Sequence, residues 1–388
     1  MTSTADEPRV RRLDFLVFSD DWGEHPSSCQ HIFRHIAKDH RVLWVNTIGM
    51  RNPTLSWTDV RKVFVKVSKM FERTREPVVP GRDRNIKVCQ PFMLPGSRSR
   101  AVRAFNARSV TRTVSGMMAR LGMNDPIFVA TVPNVSEYPE LLNGRKVVYY
   151  CVDDFSLWPG LDADVVREME ARLIARADCL IAVSETLFQR LSKSGKPVRL
   201  LTHGVDLEMF STAAVSELPC LSDIPRPRVG FFGLIDGRMD WELLIPLAKR
   251  MPEVSFVFAG PVDASAGELP RLKNMHFVGR VAYRKLPEFV AGLESLMLPY
   301  RTGALAEALS PLKLKEYLAT RKPIVMSPIG ESRQWSGAMS IASTVEEWSD
   351  ALRSGGRGGD PTERSRAAID LSRDSWEQKS LEFQEMCA

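Results

Sequence analysis

The chain has 388 residues, enough for two domains that each bury a core of their own. Hydrophobic residues make up 44% and charged residues 26%, values that exclude a disordered or low-complexity chain. The six cysteines are scattered, with no CxxC and no cysteine–histidine cluster, which excludes a zinc finger or a disulfide scaffold and points to a reducing cytoplasm.

The net charge of +6 is unevenly distributed: residues 1–123 hold 22 Lys/Arg against 11 Asp/Glu, so the remainder is acidic. The start of the chain carries Asp6 and Glu7 and only a four-residue apolar run before Ser19, which predicts neither a secretory signal nor a spanning helix. Localisation is therefore expected to be cytoplasmic, with any membrane contact peripheral and at the inner face.

In chain order, Phe15–Phe18 reads as a strand, followed by the loop Asp20-Asp21-Trp22-Gly23, a helix from Ser28 to Ala37 and a strand at Val42–Val45. Val60, Val63, Phe64, Val67, Met70 and Phe71 recur at helical spacing with Arg61, Lys62, Lys66, Lys69 and Arg73 between them, an amphipathic helix suited to an anionic bilayer or to packing on a core. From Arg84 to Asn124 there are eight basic residues and no acidic one, a second feature that attracts phosphate or anionic lipid. Neither basic segment interleaves aromatics at stacking spacing, so nucleic acid is not an expected partner.

Strands follow at Ile127–Ala130, Val147–Tyr150, Leu180–Val183 and Val198–Leu201, with a helix from Ala163 to Arg176. Periodicity then lapses over the Pro-rich residues 208–227, which read as a linker. A second series of strands is expected at Arg228–Phe232, Val254–Phe258, Met275–Val278, Leu296–Leu298 and Pro323–Met326. Alternation of this kind predicts an α/β protein of two doubly wound domains facing each other across a cleft, covering residues 1–207 and 228–360, with residues 361–388 a C-terminal helix packing back across them.

The segment Ser310 to Ala319 carries the most chemistry. Ser310 fits an N-cap and Pro311 a first helical position, which leaves the helix N–H groups available to phosphate. Lys313 falls in the first turn and Glu316 one turn deeper on the same face, offering a cation to a diphosphate and a carboxylate to ribose hydroxyls; a capped surface helix with a Lys–Glu pair would read the same way. Gly233 lets a backbone approach a ligand closely and Arg238 supplies a phosphate-binding fork, although the turn is not GxGxxG and no dinucleotide site follows.

The order SPLKLKEYLA then KPIV resembles the donor motif of GT-B glycosyltransferases of the family 4 kind. The resemblance takes in Thr202-His203-Gly204-Val205-Asp206, Phe231–Asp240, Asn274–Arg280, Leu298-Pro299-Tyr300 and Ser375-Trp376, covering roughly residues 145–380. It implies a GT-B fold and a nucleotide-diphosphate sugar as donor, with Gly233, Arg238, Tyr300, Ser310, Pro311, Leu312, Lys313 and Glu316 at the donor site. Two positions depart from the pattern: Leu309 stands where an acidic residue is frequent, and His203, at the domain junction, stands where Asn is common.

Ser-x-x-Lys together with Tyr149-x-x-x-Asp153 resembles more closely the xanthan glucuronosyltransferase, an inverting relative, and implies that Asp153 is the catalytic base. Asp153 or Asp154 could equally cap the following loop. Asp21, Trp22 and Gly23 fall where GT-B enzymes place an acceptor-facing loop, although a plain turn fits as well. Asp162-Ala163-Asp164 matches the metal-binding DxD of the other glycosyltransferase fold but stands at a helix start, where carboxylates cap. The expectation is a transferase with no metal and no cofactor besides its donor, acting on a lipid-linked or glycan acceptor at an anionic membrane surface in polysaccharide, including exopolysaccharide, or glycolipid synthesis. A nucleotide-sugar epimerase of the same fold and a non-catalytic partner subunit of a glycan pathway are the alternatives.

Overall fold

The computed structural model describes residues 12–23, 27–50, 85–96, 98–142, 144–211, 215–354 and 370–387. The amphipathic segment at 60–71 and the glycine run at 355–359 lie outside the described residues. The chain forms two compact units: Met1–Thr202 with Trp376–Ala388, and His203–Ser375. Among the described residues, no helix is long and apolar enough to cross a membrane.

The first unit holds seven parallel strands: β1 (Asp14–Ser19), β2 (Arg41–Asn46), β3 (Ile86–Cys89), β4 (Ile127–Ala130), β5 (Lys146–Cys151), β6 (Cys179–Ala182) and β7 (Val198–Leu200). Their order is β3-β2-β1-β4-β5-β6-β7. The central strands are near-continuous apolar runs because helices cover both faces of a parallel sheet; Phe15–Phe18, Phe128–Ala130 and Val148–Cys151 are fully buried. Strand β3 escapes a pattern search because it is short and at the edge, with Lys87 exposed in its middle.

The second unit repeats the plan with β8 (Arg228–Phe232), β9 (Ser255–Ala259), β10 (Met275–Gly279), β11 (Ser295–Leu298), β12 (Ile324–Met326) and β13 (Ser340–Ile341), in the order β10-β9-β8-β11-β12-β13. In both sheets the order reverses beside the first strand, between β1 and β4 and between β8 and β11. Doubly wound sheets bind ligands outside the carboxyl ends of the strands at such a reversal.

The boundary read from sequence shifts. The division falls at Thr202/His203, and residues 208–227 are part of the second unit: Leu221 and Ile224 are buried in its core and Phe210 stacks on Phe232 at 6.2 Å. Aperiodic, Pro-rich chain packs here as a 3-10 turn, Pro219–Leu221, which has no helical or strand period to read. Of the expected helix 361–388, residues 361–369 and 388 lie outside the described residues, and the helix observed runs from Trp376 to Cys387. It packs within the first unit, where Trp376 stacks on His31 at 4.6 Å and Phe383 meets Phe33 and Tyr150, each at 5.5 Å.

Candidate active site

At the reversal of the second sheet, β8 runs into Gly233 and β11 runs into Pro299-Tyr300. Gly233 has φ +134°, a conformation that L side chains rarely adopt, and a Cβ there would come within 2.2 Å of the Lys313 ammonium. Glycine is therefore required for the backbone shape, and its missing Cβ leaves the space into which the lysine extends. Lys313 donates to the Tyr300 hydroxyl at 2.7 Å and lies 4.4 Å from the Phe231 ring centroid, so a cation is held in place over aromatic faces.

Lys313 projects from the first turn of the helix Leu312–Ala319, whose early N–H groups have no intrahelical acceptor. The helix starts one residue later than the sequence suggests: Pro311, in extended conformation with φ −70° and ψ 116°, is the cap residue and makes no side-chain cap bond. Ser310 is thus not the N-cap. It is buried, and its carbonyl accepts from Nε2–H of His203 at 2.9 Å.

His203 is buried and is the first residue of the second unit in the chain. Desolvation, with the Lys315 charge nearby, lowers its pKa to about 3, so it is neutral and pins the helix entrance as a hydrogen-bond donor. Lys315, only 3% exposed, donates to the His203 carbonyl at 2.6 Å and to Asp374 Oδ1 at 2.7 Å. The same residues are drawn together by the bond from Val205 N–H to the Asp374 carbonyl at 2.7 Å. The helix Leu312–Ala319 is thereby fixed to the first and last segments of its unit.

Glu316 is one helical turn beyond Lys313 and is buried. Desolvation raises its pKa from 4.5 to about 7, opposed by a hydrogen bond from Tyr283 and the Lys313 charge and assisted by Asp206. Arg238 makes a forked contact with Asp236, Nε to the two oxygens at 2.9 and 3.0 Å, and lies 5.3 Å from the Tyr300 centroid. Its charge is already partly matched, so Lys313 is the stronger attraction for an incoming anion. Leu309 is buried in the core, whereas Glu307 two residues earlier is exposed. Phe231, Asp236 and Tyr283 were not singled out from sequence; Asp236, two before Arg238, was the one with a readable signal.

In the first unit, the loop after β1 is built rather than slack. The Asp20 carboxylate accepts from Ser19 Oγ at 2.7 Å, Ser27 Oγ at 3.1 Å and Gln30 Nε2 at 2.8 Å. Trp22 N–H and Gly23 N–H donate to Asn46 and Gln30, each at 3.0 Å, while the Trp22 ring meets Trp44 at 4.7 Å. Asp21, Trp22 and Gly23 are consequently presented at the reversal point of the first sheet.

The alternatives at the end of β5 also separate. Asp154 is the cap: its Oδ1 accepts from Ser156 N–H at 3.1 Å and Ser156 Oγ at 2.6 Å. Asp153 is the partly exposed neighbour and is not the capping residue. The DxD aspartates are engaged as expected of a helix start, Asp162 accepting from Val165 N–H at 3.3 Å and pairing with Arg98, and Asp164 pairing with Arg167 at 2.8 Å.

No protein-family model matches the chain. Two doubly wound parallel sheets of this order constitute the GT-B fold, and solved structures agree with it. Sucrose-phosphate synthase from Thermosynechococcus elongatus aligns with a TM-score of 0.68 and 13% identity, covering 97% of this chain and 98% of that one. Anabaena HepE in complex with UDP aligns with a TM-score of 0.62 and 14% identity, covering 96% and 98%. In sequence, 217 residues are 28% identical to a Bacillus subtilis (strain 168) protein named as the teichuronic acid biosynthesis glycosyltransferase TuaH. That match spans 50% of this chain and 53% of the relative, about half of each.

Proposed function

We propose that this chain is a glycosyltransferase that moves a sugar from a nucleotide-diphosphate donor to a hydroxyl of a lipid-linked or otherwise membrane-associated acceptor in polysaccharide or glycolipid synthesis. The observation that carries the reading is the convergence at the second sheet's reversal: Lys313 held by Tyr300 against Gly233, at a helix N-terminus, with Glu316 a turn away. A diphosphate bridging to ribose matches that spacing of cation and carboxyl. The names of TuaH and of UDP-bound HepE agree with a nucleotide-sugar donor. Kinship with family 4 and with the xanthan glucuronosyltransferase rests on the motif order alone.

In this reading Asp153 takes the acceptor hydroxyl proton as that oxygen attacks the anomeric carbon. The bond from that carbon to the diphosphate breaks, and the leaving group carries away the electron pair. Lys313 and the helix N–H groups meet the developing charge. No metal or cofactor is required, a view supported by the engagement of Asp162 and Asp164 in capping and ion pairing.

Support for a membrane-associated acceptor comes from the helix Arg100–Leu121. Arg100, Arg108 and Arg112 are exposed there, and beside them the exposed rings of Phe92 and Phe105 meet edge to face at 6.1 Å. Cations flanking exposed aromatics suit an anionic bilayer surface of the inner leaflet.

The test is a thermal-shift screen with UDP, GDP, TDP and their sugars. A matching nucleotide at a hundred times its Kd contributes about 2.7 kcal/mol and a clear rise in melting temperature. If none of the nucleoside diphosphates raises it, the donor reading falls.

A further inference from the structure

A buried charged cluster contacts the residues on either side of Asp153, Cys151 and Asp154. Glu170, on the helix Ala163–Arg176, accepts from Tyr149 hydroxyl at 2.7 Å and from the Arg190 guanidinium at 2.6 and 2.8 Å. Arg190, on the helix Glu185–Ser192, also reaches Cys151 Sγ at 3.5 Å and Asp154 Oδ2 at 3.5 Å. Glu170 and Asp154 have side chains only 7% and 11% exposed. One guanidinium thus contacts the chain on both sides of Asp153, hydrogen-bonding the strand end at Cys151 and ion-pairing with Asp154 in the turn without a hydrogen bond to it.

Burying two carboxylates and a guanidinium is costly, and an apolar core would hold β5 against these helices without it. None of these groups belongs to the chemistry assigned so far. Burial pushes the Cys151 thiol up to about 12, so it does not act as a nucleophile.

The geometry points to Arg190 and Glu170 as positioning residues for Asp153, fixing the turn that carries its carboxylate and setting the charge around it. This rests on the assignment of Asp153 as base. The charged and titratable groups shown in contact with one another around the turn include Tyr149 and Cys151 from β5, Asp154 in the turn, Glu170 and Arg190. With Arg190 cationic and Glu170 and Asp154 anionic, the cluster carries one negative charge in surplus. Removing Arg190's charge leaves surplus negative charge at the turn that carries Asp153 and so favours the protonated form of Asp153; removing Glu170's does the reverse.

The test is the pH profile of kcat in Arg190→Gln, Glu170→Gln and Arg190→Lys, with nucleotide Kd measured alongside. Arg190→Gln is expected to lower kcat roughly tenfold or more, by misplacing the base, and to move the acid limb to higher pH. Glu170→Gln moves that limb to lower pH, and in every variant nucleotide affinity stays at the wild-type level. Arg190→Lys keeps the charge and loses the fork, so its limb stays in place while kcat falls a few-fold. It also serves if Arg190→Gln fails to fold. Limbs that do not move in opposite directions, or wild-type kcat in Arg190→Lys, overturn the proposal. If Asp153→Asn is itself fully active, the base assignment falls first and the positioning role with it; an inactive Asp153→Asn beside wild-type-like Arg190 variants removes the positioning role alone.

Discussion

Glu316→Gln should stabilise the protein at pH 8 and leave it nearly unchanged at pH 5. The wild-type carboxyl has its folded pKa raised from 4.5 to about 7, chiefly by burial. The folded state therefore holds this proton more tightly than the unfolded chain does. Stability from this group is complete below about pH 4.5, declines as pH rises through the interval, and is fully lost above about pH 7. At about 1.4 kcal/mol per pH unit, the loss across the interval amounts to roughly 3 kcal/mol.

Gln has the same shape and carries no charge, so it avoids this loss at pH 8 while adding little at pH 5. Urea unfolding followed by tryptophan fluorescence at the two pH values reads the difference directly. An equal effect of the substitution at both pH values would refute the argument, because a carboxyl that ionises normally gives no such dependence. The accompanying cost should appear as weaker nucleotide binding, the stability penalty being retained for a ligand contact.

Asp153→Asn should reduce turnover by about a hundredfold or more while sparing nucleotide affinity, whereas Asp154→Asn should act on stability through its cap; a dead Asp154 variant beside an active Asp153 variant reverses the assignment. Lys315→Met strands the nearly buried Asp374 carboxylate and should cost on the order of 3 kcal/mol in urea unfolding. Replacing Arg100, Arg108 and Arg112 by Ser should weaken co-sedimentation with phosphatidylserine vesicles at low salt, at about 1 kcal/mol per residue before screening. Unaltered sedimentation would move the membrane face elsewhere.

The central strands were legible in the sequence because parallel strands buried on two faces read as near-continuous apolar runs: Val229–Phe232 and Ile127–Ala130 fall where those runs do. Two edge strands escaped for the opposite reason, Ile86–Cys89 being four residues with an exposed lysine and Ser340–Ile341 two residues long and only partly buried. Lys313 and Glu316 could be paired from their spacing, since three residues on a helix is a spatial relation that sequence states outright. The contacts of Tyr283 with Glu316 and of His203 with Ser310 could not, because they join residues whose only relation is the folded topology. The cap was displaced from Ser310 to Pro311 for a local reason: Pro311 is itself extended, so the helix can start only after it.

Lys313 is proposed to receive the donor's diphosphate. Isothermal titration of the nucleoside diphosphate selected by thermal shift, into wild type and Lys313→Ala, tests it most directly. A loss of about 1.5–3 kcal/mol is expected, a rise in Kd of roughly 10- to 150-fold, the worth of a hydrogen bond to a charged group. Equal affinity in the two proteins would contradict it.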